Sequence, residues 1–155
     1  MNSKKQQIEN IRDYLLLSDR ICTSGQPTED QFQLIKNSGY QFIINLAVLT
    51  SPEALPFEES IVQNHGLDYY HIPVAWDSPS IENLIKFIDI MNVCWAKKIF
   101  IHCIANKRVS VFIFLYRICH ENLDSDFSLT ELNKIWVPNG VWQNFIQAVI
   151  KYFGK

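Results

Sequence analysis

Two runs, Phe42-Ile43-Ile44-Asn45-Leu46-Ala47-Val48 and Lys98-Ile99-Phe100-Ile101-His102, are nearly unbroken apolar sequence of strand length. A strand with one wet face alternates polar and apolar residues, so such runs belong to strands covered on both faces, as in a parallel sheet. Parallel neighbours need crossovers of a dozen or more residues, and helical periods fill the intervals. The spacing of Ile8, Ile11, Leu15 and Leu16 predicts an amphipathic helix over residues 5–17, part of an N-terminal segment (1–19) packed on the domain. A short strand at 20–23 runs into the turn Ser24-Gly25-Gln26-Pro27, and Thr28 caps a helix that stops at Ser38-Gly39. Further helices are expected at 56–65, after Ser80, at 109–119, 128–136 and 140–153, with a strand at 69–74. Strands alternating with helices imply one three-layer α/β domain over residues 1–155, with a mostly parallel sheet of four or five strands. Its core should contain Ile43, Ile44, Leu46, Ile72, Val74, Ile99, Ile101, Val109, Phe112, Ile113 and Tyr116.

Composition narrows the function classes. Fourteen basic and sixteen acidic residues leave a net charge of −2, whereas nucleic-acid and anionic-membrane surfaces usually need a basic excess. No apolar run approaches the roughly 20 residues that span a bilayer, and the start MNSKKQQIEN lacks an apolar signal core. A cytoplasmic protein is expected. No cofactor and no metal site is expected either, because His65, His71 and His120 are scattered and no Cys-x-x-Cys occurs. Cys22, Cys94 and Cys119 read as small buried hydrophobes.

Cys103 stands apart because of its neighbours. Ligands of open α/β sheets sit beyond the carboxyl ends of the strands, where Ile101-His102-Cys103-Ile104-Ala105-Asn106-Lys107-Arg108-Val109-Ser110 turns from a strand through a short loop into an apolar helix. The amides of Ile104, Ala105, Asn106, Lys107, Arg108 and Val109, with the helix N-terminus behind them, would cradle an oxyanion such as phosphate or sulfate. The same field favours a thiolate at Cys103, a nucleophile set against a phosphoryl or sulfur-bearing group. Arg108 would add a two-pronged grip on equatorial oxygens. Asp77, in a loop beside Trp76, is a candidate general acid; the competing role is capping of the next helix, for which Ser78 and Ser80 are also placed. His102, largely buried, would orient the loop, and Asn45, at a strand end, would tie its side chain to the loop backbone.

The loop resembles the signature of cysteine-dependent dual-specificity and tyrosine phosphatases: His-Cys, five residues, Arg, then Ser or Thr. Further segments match a bacterial family of small phosphatase-like proteins on that fold. They are Ser24-Gly25-Gln26-Pro27-Thr28, Ile44-Asn45-Leu46-Ala47, Tyr70-His71-Ile72-Pro73-Val74-Ala75-Trp76-Asp77 and Ile135-Trp136-Val137-Pro138-Asn139 with Trp142, spread over residues 20 to 145. The resemblance implies phosphate-monoester hydrolysis through a phosphocysteine on Cys103. Asp77 would protonate the leaving oxygen, Arg108 and the loop would hold the phosphoryl group, and Ser110 would assist departure of the thiolate. A phosphorylated protein or a small phosphorylated metabolite would be the substrate. Here only four residues separate Cys103 from Arg108. Alignment without a gap puts Val109 at the Arg position; alignment with one keeps Arg108 in a tighter loop. Four-residue spacing is also that of single-domain rhodaneses, so persulfide transfer is the rival reaction, and oxyanion or phosphoprotein binding without turnover is the third reading.

Overall fold

The structure, a computed structural model, describes residues 7–155. Five strands form one sheet: β1 (Leu15–Leu16), β2 (Ile21–Ser24), β3 (Phe42–Asn45), β4 (Asp68–His71) and β5 (Ile99–His102), in the order β1-β2-β5-β3-β4. All pairings are parallel except β1 with β2. The crossover helices are α1 (Glu29–Asn37), α2 (Glu58–Asn64) and α3 (Ile81–Val93); α4 (Lys107–Leu115), α5 (Ser125–Asn133) and α6 (Gly140–Tyr152) follow β5. This is the expected three-layer arrangement.

Alternation along β5 shows how the layers are filled. Phe100 packs with Phe32 and Ile35 of α1 and Val62 of α2. Ile99 and Ile101 face the opposite layer, among Leu84 and Phe87 of α3, Phe112 of α4 and Trp142 of α6. All eleven residues expected in the core are buried. Both expected caps form: Thr28 with Gln31 on α1, and Ser80 with Asn83 on α3, each a reciprocal capping box.

The expected N-terminal helix is a correction. Its residues 5–6 lie outside the described part; beyond them the chain makes a short 3₁₀ turn, Ile8–Asn10, turns at Asp13 (φ 51°) and enters β1. β1 covers the edge of β2, which would otherwise present unpaired N–H and C=O groups, while Ile11 still buries its side chain beside Phe32 and Phe100. The apolar spacing therefore served the core without a helix. The expected 109–119 helix also divides: after α4 its last turn widens into a π-helix, Tyr116–His120, closed by Glu121 N–H donating to Tyr116 O.

Parallel pairing places the carboxyl ends in one row. Ser24, His102, Asn45 and His71 are in register across β2, β5, β3 and β4. A polar row at the end of apolar strands marks the edge where the site lies.

Candidate active site

Cys103 follows β5 at that edge and is 1% exposed. Side chains alternate along the strand, so His102 faces the α1–α2 layer and Cys103 the opposite one. The loop to α4 is short because Asn106 turns it in the left-handed region (φ 63°). Asn106 holds this geometry by donating its side-chain amide to Asp13 O (2.9 Å) and Thr23 Oγ1 (3.0 Å). The Ile104 carbonyl is taken by the Gln26 amide at 2.9 Å. Gly25 passes so near that an added Cβ would lie 2.4 Å from the Ile104 oxygen. The Ser24-Gly25-Gln26 turn thus clamps the loop from the β2 side.

Among the described residues, the amides of Ile104, Ala105, Lys107, Arg108 and Val109 donate to no protein acceptor. They belong to the loop and first turn of α4, where helical geometry leaves N–H groups unsatisfied. Arg108, the second residue of α4, is 5% exposed and donates Nη1–H to Val74 O at 2.8 Å. Its Nε and Nη2 have no protein partner among the described residues. Val109, the other alignment for the Arg position, is buried in the core.

Val74 lies in the loop after β4 that carries Asp77, and Trp76 O accepts from Trp142 Nε1 at 2.8 Å. Arg108 also lies 6.0 Å from the centre of the Trp76 ring. Two contacts, from α4 and α6, therefore hold the segment leading to Asp77. The Asp77 side chain is exposed and makes no hydrogen bond or ion pair among the described residues, and the helix cap it could have formed is made by Ser80. Ser110 lies in the first turns of α4. Its hydroxyl donates to Lys107 O (2.9 Å) and accepts from Trp136 Nε1 (3.1 Å), one turn into α4, and no hydrogen bond joins it to Cys103.

Behind the loop lies a group that sequence reasoning missed. Glu58, the first residue of α2, is 3% exposed. Its Oε2 receives His102 Nε2 at 2.7 Å and the Tyr69 hydroxyl at 3.0 Å, and its Oε1 receives Gln26 Nε2 at 2.6 Å. Asn45 donates to the Tyr69 oxygen (2.9 Å) and accepts from Ala47 N–H (2.9 Å), so among the described residues its side chain ties to its own strand end and to Tyr69, not to the Cys103 loop. Burial alone would raise the Glu58 carboxyl, but His102 and the three donated hydrogen bonds hold it below its ordinary value. Burial and the Glu58 charge push the Tyr69 phenol up, so it stays a donor. Burial also pushes up the other thiols, Cys22 to about 12 and Cys94 to about 11, in keeping with their part as core residues. Among the described residues no cluster of His, Cys, Asp or Glu has a metal-holding arrangement, and no helix is long and apolar enough to cross a membrane.

No protein-family model matches the chain, and no curated protein matches it. Solved structures do. The core catalytic domain of a PP-IP phosphatase from S. cerevisiae, solved with citrate, is similar at 20% identity and TM-score 0.70, covering 88% of this chain and 85% of that one. A Cys-to-Ser variant of TpbA from P. aeruginosa, solved with phosphotyrosine, is similar at 11% identity and TM-score 0.66, covering 94% of each chain. These two share the fold. A phosphatase-like DUF442 protein from Shewanella putrefaciens CN-32 is 32% identical with TM-score 0.85, over 96% of this chain and 97% of that one. Identity at that level over nearly both full lengths, on a cysteine-phosphatase fold with the His-Cys loop at its strand edge, places the chain in the DUF442 family of small phosphatase-like proteins.

Proposed function

We propose that this protein hydrolyses phosphate monoesters through a phosphocysteine on Cys103. The observation that carries the reading is the group of five unpartnered amides from Ile104 to Val109 around Cys103, with the buried Arg108 guanidinium beside them. Amides that face no protein acceptor at a helix N-terminus suit an anion, and fixed donors stabilise transferring phosphoryl oxygens without reorganising. The Cys103 thiolate attacks phosphorus, the S–P bond forms and the P–O ester bond breaks. The leaving oxygen takes its proton from the Asp77 carboxylic acid. Water, losing a proton to the Asp77 carboxylate, then attacks phosphorus; the S–P bond breaks, and phosphate and thiolate are released. Arg108 grips equatorial oxygens with the donors that Val74 leaves free. His102 orients the loop from behind, and Ser110, bonded to Lys107 O and Trp136, fixes the first turn of α4.

The substrate class we infer is a phosphorylated protein or a small phosphorylated metabolite, and the setting a reducing cytoplasm, in keeping with four free cysteines. A second reading, persulfide transfer on Cys103, draws on one observation, the four-residue interval to Arg108.

The test is release of phosphate from an aryl phosphate, set against thiocyanate formation from thiosulfate and cyanide. Hydrolysis should vanish in Cys103→Ser and fall about a hundredfold in Asp77→Asn, within the usual size of acid catalysis. Thiocyanate formed independently of Asp77, with no phosphate released by the wild type, would replace hydrolysis by sulfur transfer. Phosphate binding that survives Cys103→Ser, with neither product formed by the wild type, would leave a binding module.

A further inference from the structure

We infer that Glu58 is a positioning residue for the oxyanion loop, acting on its first two peptide groups through His102 and Gln26. The inference rests on the proposed reading of this loop as an oxyanion site, though the geometry stands without hydrolysis. His102 Nε2 meets Glu58 Oε2 at 2.7 Å, and its Nδ1 meets the Cys103 carbonyl oxygen at 3.0 Å. Carboxylate and carbonyl both accept, so the two bonds form together only when the ring carries both protons. Gln26 reaches the second peptide: its backbone N–H holds Ile104 O at 2.9 Å while its side-chain amide donates to Glu58 Oε1 at 2.6 Å. One buried carboxylate thereby anchors the groups that hold the Cys103 and Ile104 carbonyls.

Those carbonyls belong to the peptide units whose N–H groups, on Ile104 and Ala105, stand unpartnered in the cradle. A carbonyl engaged by a donor polarises its own peptide unit and makes the N–H at its other end a stronger donor, most of all when the partner is cationic. The loop is therefore aimed and strengthened from the layer opposite Cys103. The titratable groups that face His102 are Glu58 from α2, Tyr69 from β4 through Glu58, and the adjoining Cys103; Glu59 adds its charge at Tyr69. From α1 the Phe32 ring packs against His102 edge to face, 6.1 Å between centroids.

The experiment uses the full chain, wild type and Glu58→Gln, with Glu58→Asp as the charge-retaining control. Nitrogen-15 NMR of the His102 ring should show both nitrogens protonated in the wild type at neutral pH. Inorganic phosphate, titrated against the Ile104 and Ala105 amide signals, should bind about tenfold more weakly to Glu58→Gln, the scale of one charge-assisted hydrogen bond lost. Glu58→Asp should restore most of that affinity. A neutral His102 in the wild type would overturn the inference even if Glu58→Gln proved unable to fold. So would a Glu58→Gln protein that binds phosphate as tightly as the wild type. A wild type that releases no phosphate yet shows a doubly protonated His102, lost in Glu58→Gln, would support the positioning and sink the hydrolytic reading alone.

Discussion

Glu58 and Glu59 are adjacent residues of one type, yet Glu58 is buried against His102 and Glu59 lies in solvent. Both satisfy the preference for acidic side chains in a first helical turn, so nothing local distinguishes them. Cys103 and Arg108 were legible because a strand, a tight loop and an apolar helix surround them in sequence. Glu58 meets them only through the crossover that brings α2 over β3 and β5. Its folded-state carboxyl lies below the ordinary 4.5. A group depressed in this way contributes stability that is present above its unfolded value and lost as pH falls through the folded one. The wild-type urea midpoint should accordingly decline as pH drops below about 4.5, and Glu58→Gln should be weaker at pH 7 but flatter in acid. Parallel acid profiles for the two proteins would show that the pair carries no such linkage. Gly25 is a steric counterpart. Its backbone is not in the left-handed region, but an added Cβ meets the Ile104 carbonyl at 2.4 Å, and backbone there cannot swing aside. Gly25→Ala should cost about 1–3 kcal/mol in denaturant unfolding, the usual range for forced overpacking, and should weaken phosphate binding along with it. A neutral substitution would mean that the clamp yields freely.

Elements were read more securely than their ends. The central strands and helices α1–α6 occur near where apolar periodicity places them, and Thr28 and Ser80 cap α1 and α3 as read, because those signals are local and the three-layer packing agrees with them. Periodicity misled where a tertiary need replaced the helix: the unpaired edge of β2 took residues 15–16 as a strand. The start of α2 is the other departure. Phe57 occupies its N-cap with φ 60° and no side-chain cap, and the ring is 85% exposed. A left-handed conformation costs an ordinary residue roughly 1–2 kcal/mol, less for Asn, and a ring this exposed gains little from burial. Phe57→Asn should therefore raise the midpoint of thermal unfolding, by about 0.5–1 kcal/mol of stability given that strain. Destabilisation instead would show that the ring secures the 46–57 loop against α2.

At the scale of the whole molecule the site is a convergence of three connections on one sheet edge. The β5–α4 loop brings Cys103 and the free amides, α2 brings Glu58 behind them, and the segment after β4 carries Asp77, the proposed acid. Only the last depends on a helix far along the chain, since Trp142 of α6 holds Trp76 O while Arg108 holds Val74 O. Trp142 is buried among Phe112, Phe145 and Trp136, so the indole couples core packing to the placement of the proposed acid. Trp142→Phe keeps most of the ring volume and removes the N–H. It should leave the thiolate and its cradle intact while releasing the Asp77 turn from one of its two ties. Proton delivery matters most when the leaving oxygen is a strong base. The variant should then lose more activity on an alkyl phosphate, by about tenfold within the range for acid catalysis, than on a nitrophenyl phosphate, whose leaving group departs with little help. Equal losses on the two substrates would mean that Trp142 serves only the core and that α6 has no part in aiming Asp77.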